Sequence, residues 1–259
     1  MRKTCLALGL LATLPLAADE SGPTHWYLDV HSTSSSLSGY ADLTGSTPLN
    51  VDLKNDLGLA ANGSKVGFGL EYQGHRFGLA LSADQSDFVG NHVVSEQINI
   101  NNTTYNAGAL VNSAFTLKTY TLNWTIRCYS AEQWWAGLDL GARVIKAQLT
   151  AVGTDPLTNT TANANYSGTV PIPTLIGPSA GFNLFDNRVI VRGYYHWLGY
   201  SGVSLTEQSL DARYFPISWL GIMAFTNNVD LKVPYNSINK TTQGQLKQTL
   251  SGAGVVFRF

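Results

Sequence analysis

Residues 119–144 read TYTLNWTIRCYSAEQWWAGLDLGARV, and this stretch decides the fold. Tyr120, Leu122, Trp124, Ile126 and Cys128 fall on one parity, while Thr119, Thr121, Asn123, Thr125 and Arg127 fall on the other. After the short break Ser130 to Glu132 the pattern resumes. Trp134, Ala136, Leu138, Leu140, Ala142 and Val144 oppose Trp135, Gly137, Asp139, Gly141 and Arg143. Successive side chains of a strand point to opposite faces, so a period of two means a β-strand with one apolar side. Two such runs joined by a three-residue break predict an antiparallel hairpin.

The same parity holds on either side of this hairpin. Val66, Phe68, Leu70 and Tyr72 alternate with Gly67, Gly69 and Glu71. Phe77, Leu79, Leu81 and Ala83 alternate with Arg76, Gly78, Ala80, Ser82 and Asp84. Alternation alone does not separate a soluble barrel, apolar within, from a membrane barrel, apolar without. The composition of the polar face does. It mixes glycine and serine with charges of both signs, as a crowded hydrated lumen requires, and it lacks the long lysines and glutamates of a soluble surface. The predicted lumen-facing polar network is Asp29, His31, Glu71, Arg76, Asp84, Arg127, Asp139, Arg143, Arg192 and His196. Tyr72, Tyr129, Trp134, Trp135, Phe182 and Phe185 fall beside short turns, where aromatic rings suit a membrane–water interface.

Strands are predicted near 24–36, 64–73, 75–87, 113–129, 133–150, 168–184, 188–201, 207–216, 218–233 and 246–259, ten in all, with eight as the alternative count. Short links at Gln73-Gly74, Ser130 to Glu132, Phe185 to Asn187 and Pro216-Ile217 alternate with long ones near 37–63, 88–112, 151–167 and 234–245, and a smaller one near 202–206. The fold class is therefore all-β: a closed antiparallel up-and-down transmembrane β-barrel with short periplasmic turns and long extracellular loops. The long links are rich in Asn and Thr, as in Asn101 to Asn106, and read as solvated loops. The segment Asn50 to Leu59 reads as an extracellular loop or as a constriction of the barrel mouth.

At the amino terminus, Arg2-Lys3, an apolar run from Cys5 to Leu16, and Ala17-Ala18 predict a secretory signal over 1–18, with the barrel domain over 19–259. The run is shorter than the about 20 residues of a spanning helix. Loss of Arg2 and Lys3 would take the formal charge from −1 to about −3, which is not the balance of a nucleic-acid binder. Cys128 would then stand alone, without an internal disulfide or a cysteine metal site. No cofactor or metal is expected.

The carboxyl end, Ala253 to Phe259, alternates and stops on an aromatic residue. It resembles the closing strand of bacterial outer-membrane proteins. That resemblance implies an outer-membrane location, lipid contact, and an assembly signal at Phe257 and Phe259 for the barrel assembly machinery. Val51 to Leu59, containing Asp56-Leu57-Gly58-Leu59, is similar to a stretch of some small proteobacterial outer-membrane barrels. The ten-strand count resembles the omptin-like proteases, and Asp29-Val30-His31 has the Asp-x-His spacing those enzymes use. The pair falls at membrane depth, however, whereas omptin chemistry sits at the extracellular rim. His31 and Ser32 face opposite sides of a strand, and no Gly-x-Ser-x-Gly, His-Glu-x-x-His or phosphate loop occurs. The expectation is a non-enzymatic barrel: a narrow porin-like channel for small solutes, or alternatively a surface protein binding an extracellular ligand through its loops. An outer-membrane protease or lipid hydrolase is the remote alternative.

Overall fold

Why the strands close on themselves is answered by their edges. The computed structural model describes residues 24–42, 50–59, 63–101, 103–155, 158–200, 202–234 and 244–259; the expected signal segment 1–18 lies outside them. The elements are β1 (His25–Asp42), β2 (Asn50–Asp52), β3 (Gly63–Gln73), β4 (Phe77–Val93), β5 (Ile98–Ile100), β6 (Thr103–Tyr105), β7 (Leu110–Ser130), β8 (Trp134–Thr154), β9 (Thr161–Leu184), β10 (Val189–Tyr200), β11 (Val203–Ile217), β12 (Leu220–Val233) and β13 (Gly244–Arg258). Ten long strands, β1, β3, β4 and β7 to β13, pair in chain order, and β13 pairs back onto β1 from Tyr27↔Arg258 to Ala41↔Gly244. Closure leaves no bare sheet edge to carry unpaired N–H and C=O groups into hydrocarbon. Phe259 completes the seam: its amide donates to the Trp26 carbonyl at 2.9 Å, and its carbonyl accepts from Trp26 at 3.1 Å.

Side-chain parity follows the sequence. Phe68, Leu70, Leu79, Leu81, Leu122, Trp124 and Trp197 point outward and stand exposed, Phe68 at 54%. Glu71, Asp139 and Arg143 point inward and are buried, Arg143 at 4%. An outward apolar band around a polar interior is the inverse of a soluble barrel and matches a lipid surround. Near the short turns the band ends in aromatic pairs: Trp26 against Tyr72 at 5.0 Å, Tyr72 against Phe77 at 5.4 Å, and Tyr129 against Trp134 at 4.6 Å between ring centroids. Trp135 is a correction to the expected interfacial set. As the neighbour of Trp134 it takes the opposite parity and is buried inside the barrel.

The other corrections concern length. Three of the four long links are shorter than expected, because the strands keep pairing past the apolar band. The β4–β7 register continues to Val93↔Leu110, and the β7–β8 and β8–β9 registers reach Leu110↔Thr154 and Thr154↔Thr161. β11 starts at Val203, so the expected connection near 202–206 is a tight turn through Gly202. The turn expected at Pro216-Ile217 falls at 218–219, after an irregularity between Tyr214 and Ile217. Beyond Trp197↔Ile176, β9 has no partner on its β10 side, since β10 ends at Tyr200. Pro171 and Pro173, which have no N–H to donate, fall in this half-paired stretch, as prolines do on free edges.

Extra strand length is stabilised by an apolar interior at that end. Phe88, Phe115, Leu149, Leu205 and Leu231 from the walls meet Ile98, Ile100 and Tyr105 from the β5–β6 hairpin, and Val51, Leu53, Leu57 and Leu59 from the segment after β1. Each such side chain removed from water contributes about 1.5–3 kcal/mol. Segment 50–59 therefore fills the barrel mouth. Gly58 turns there with φ +61°, against Asn91 and His92, where a Cβ would collide. Asp52 ties the turn by accepting from the Lys54 and Asn55 amides at 2.9 and 2.8 Å. The loop over 88–112, expected to be solvated, is largely built structure. Asn101 and Thr103 donate to the Asn165 and Asn163 carbonyls at 2.7 and 3.2 Å, and the Tyr105 hydroxyl donates to Ala151 at 2.9 Å. Burial pushes the Tyr105 phenol up, so it remains a donor.

Candidate functional site: the charged lumen

Between the apolar mouth and a smaller apolar cluster at the short-turn end, of Tyr27, Ile190, Phe215, Met223 and Val256, the lumen is ionic. Its charged side chains come from inward positions of β1, β3, β4, β8, β10 and β11, joined by Ser179 of β9 and Asn227 of β12. They form three clusters.

The first holds Asp29, His31 and Asp84. His31 Nδ1 lies 2.6 Å from Asp29 and Nε2 lies 2.9 Å from Asp84. Each ring nitrogen thus faces one carboxylate. Close approach here requires glycine on β3: a Cβ on Gly67 would run into His31 and Asp84, and one on Gly69 into Asp29.

The second is a closed ring of four charges. Arg192 bridges Glu71 and Asp211, its Nε reaching Asp211 at 2.8 Å. Arg213 bridges the same two carboxylates at 2.8 and 2.9 Å. Each guanidinium thus meets two acceptors, the arrangement that offsets the cost of removing charge from water. Arg213 also lies over the Tyr27 ring, whose hydroxyl donates to Gln73 at 3.0 Å.

The third centres on Glu207. Arg143 donates to it, as do Asn227 at 2.6 Å and Tyr194 at 3.2 Å. His196, stacked on Tyr194, lies 3.4 Å from Glu207 and 3.4 Å from Asp139. The Asp139 approach brings the charges close, but Nε2 is not aligned for a hydrogen bond. Asp139 instead accepts from Ser179 at 2.6 Å.

Eight of the ten residues read from sequence as lumen-facing lie in these clusters. Arg127 stands apart: its guanidinium stacks on Trp135 at 4.8 Å and has no carboxylate partner among the described residues. Arg76 is the correction. Residues 75–76 form the turn before β4, so Arg76 is exposed at the short-turn end and not in the lumen. Sequence reasoning missed Glu207, Asp211, Arg213 and Tyr194. The signal was present in β11, where Val203, Leu205, Glu207, Arg213 and Phe215 share the inward parity. The expected loop over 202–206 hid its start.

The Asp29-x-His31 pair faces the lumen, His31 being 6% exposed, and lines a cavity with Asp84 and Asp139. Among the described residues no group of three or more His, Cys, Asp or Glu is arranged to hold a metal ion.

No protein-family model matches the chain, and no curated protein matches it. Among solved structures, the outer membrane protease OmpT from Escherichia coli is similar at 12% identity and a TM-score of 0.58, over 91% of this chain and 96% of that one. The attachment invasion locus protein Ail of Yersinia pestis aligns over 92% of this chain and 100% of its own, at 12% identity and a TM-score of 0.36. At these identities the likeness to OmpT is one of fold: the chain has the architecture of a bacterial outer-membrane β-barrel.

Proposed function

We propose that this outer-membrane-type barrel is a non-enzymatic surface protein that binds an extracellular ligand through the platform its long strands carry. One observation supports this above the channel reading. β7, β8 and β9 run past the apolar band, and the β5–β6 hairpin is bonded to β9 through Asn101 and Thr103, so the Asn/Thr-rich surface is held in place and not left to solvent. A preorganised neutral polar surface binds without the cost of ordering a loop. A conducting pore would need a continuous aqueous path, and the mouth is occupied by segment 50–59 and the β5–β6 hairpin. In the same reading Phe257 and Phe259 serve as the assembly signal, offered by the last strand to the barrel assembly machinery by strand addition.

The test replaces residues 98–105 by a short turn in the full chain displayed on cells. Ligand or host-surface binding should fall to background while the folded barrel still migrates heat-modifiably on a gel. Undiminished binding by a folded deletion variant overturns the reading.

A further inference from the structure

Arg127 stands outside the second charge cluster, with no ion pair to it. Three guanidiniums, Arg127, Arg192 and Arg213, line one cavity of about 180 Å³ together with Glu71 and Asp211. Glu71 and Asp211 are consumed by Arg192 and Arg213 in the closed ring. The remaining carboxylates on the cavity wall are also engaged, Asp29 and Asp84 by His31 and Asp139 by Ser179. Arg127 lies over the Trp135 ring and makes no ion pair among the described residues.

Three unpartnered donors belong to residues that line this cavity. Arg127 Nε, Trp135 Nε1 and Arg213 Nη1 are each buried without an acceptor, and all three residues line the cavity. Trp135 and Arg213 are themselves about 95% buried. Arginine and indole nitrogens can donate but not accept, so nothing else within the protein's own donor set satisfies them. A buried donor without an acceptor is costly. All the missing partners are therefore acceptors, and one oxyanion supplies several at once.

We propose that this cavity binds a small oxyanion, a carboxylate- or phosphate-bearing solute, between the Arg127 guanidinium and the Trp135 indole N–H, with Arg213 Nη1 as the third donor. The planar guanidinium fork suits two oxygens of one such group. The site is independent of the extracellular platform: it would bind equally well if the platform bound nothing.

The experiment is isothermal calorimetry on the refolded full chain in detergent, titrated with sodium phosphate and separately with sodium acetate, at constant ionic strength set with chloride. The expected result is saturable binding of one or both anions, weakened about tenfold or more in Arg127→Gln, from loss of a hydrogen bond to a charged group. Trp135→Phe should weaken it less, and Arg127→Lys should retain part of it. The phosphate and acetate arms identify which oxyanion the cavity accepts. No saturable heat with either anion in heat-modifiable wild-type protein overturns the proposal. So does unchanged affinity in folded Arg127→Gln or, should that variant not fold, in Trp135→Phe.

Discussion

At the residue scale the lumen shows how charge is held inside a barrel. Glu71 sits in the ring with Arg192, Asp211 and Arg213, and it is the only carboxylate that β3 contributes there. Glu71→Gln keeps the shape but leaves two buried guanidiniums sharing Asp211. Breaking one partner of a buried ionic group is far costlier than never having built it, because the remaining charge stays out of water. We expect Glu71→Gln to destabilise the barrel by about 3 kcal/mol, read as a lower urea midpoint for loss of the heat-modifiable band. An unchanged midpoint would mean the ring is open to water and contributes little. Which residues face the lumen was legible in the sequence for Asp29, His31, Glu71 and Arg143, since parity groups them and the small, mixed-charge composition of that face points it inward. Which of them meet was not legible. Arg192 and Glu71 are separated by 121 residues and are brought together by curvature across the lumen. Arg76 misled because a strand pattern does not mark the residue at which pairing begins.

At the element scale the decisive variable is which pleat face meets lipid. Leu122 and Thr121 are neighbours on β7 with opposite outlooks, Leu122 exposed at 41% and Thr121 buried. An arginine at position 122 would enter hydrocarbon, at a cost of roughly 2–4 kcal/mol near the bilayer midplane. Leu122→Arg should therefore lower folding stability by that amount in lipid vesicles, while in a soluble barrel with the reverse polarity the outward position would tolerate arginine. Equal stability of Leu122→Arg and wild type in vesicles would contradict the lipid-facing assignment. Strand existence was legible where runs carried the period of two, as in β3, β4, β7, β8 and β13, and the alternation of short and long links set the order. Strand ends were not. The upper parts of β4, β7, β8 and β9 carry Asn, Thr and Ser, and these residues read as loop until the β5–β6 hairpin and segment 50–59 are seen to cover their inner faces.

At the scale of the whole molecule the interior is layered: an apolar core under the extracellular rim, an ionic middle, and an apolar floor beside the short turns. Such a stack carries no continuous water column. Purified protein in planar bilayers should give no single-channel steps, and reproducible steps would overturn the filled-lumen picture. The sequence by itself determined the class of fold, the side of each strand that meets lipid, and most of the charges inside, because a strand's two faces are written every second residue and need no knowledge of neighbours. Only the tertiary structure decided that the mouth is filled, that Glu207, Asp211 and Arg213 complete the ionic lumen, and that Arg127 lacks a counter-charge. Those facts depend on register and on the closing of β13 against β1, which bring together residues that no local pattern relates.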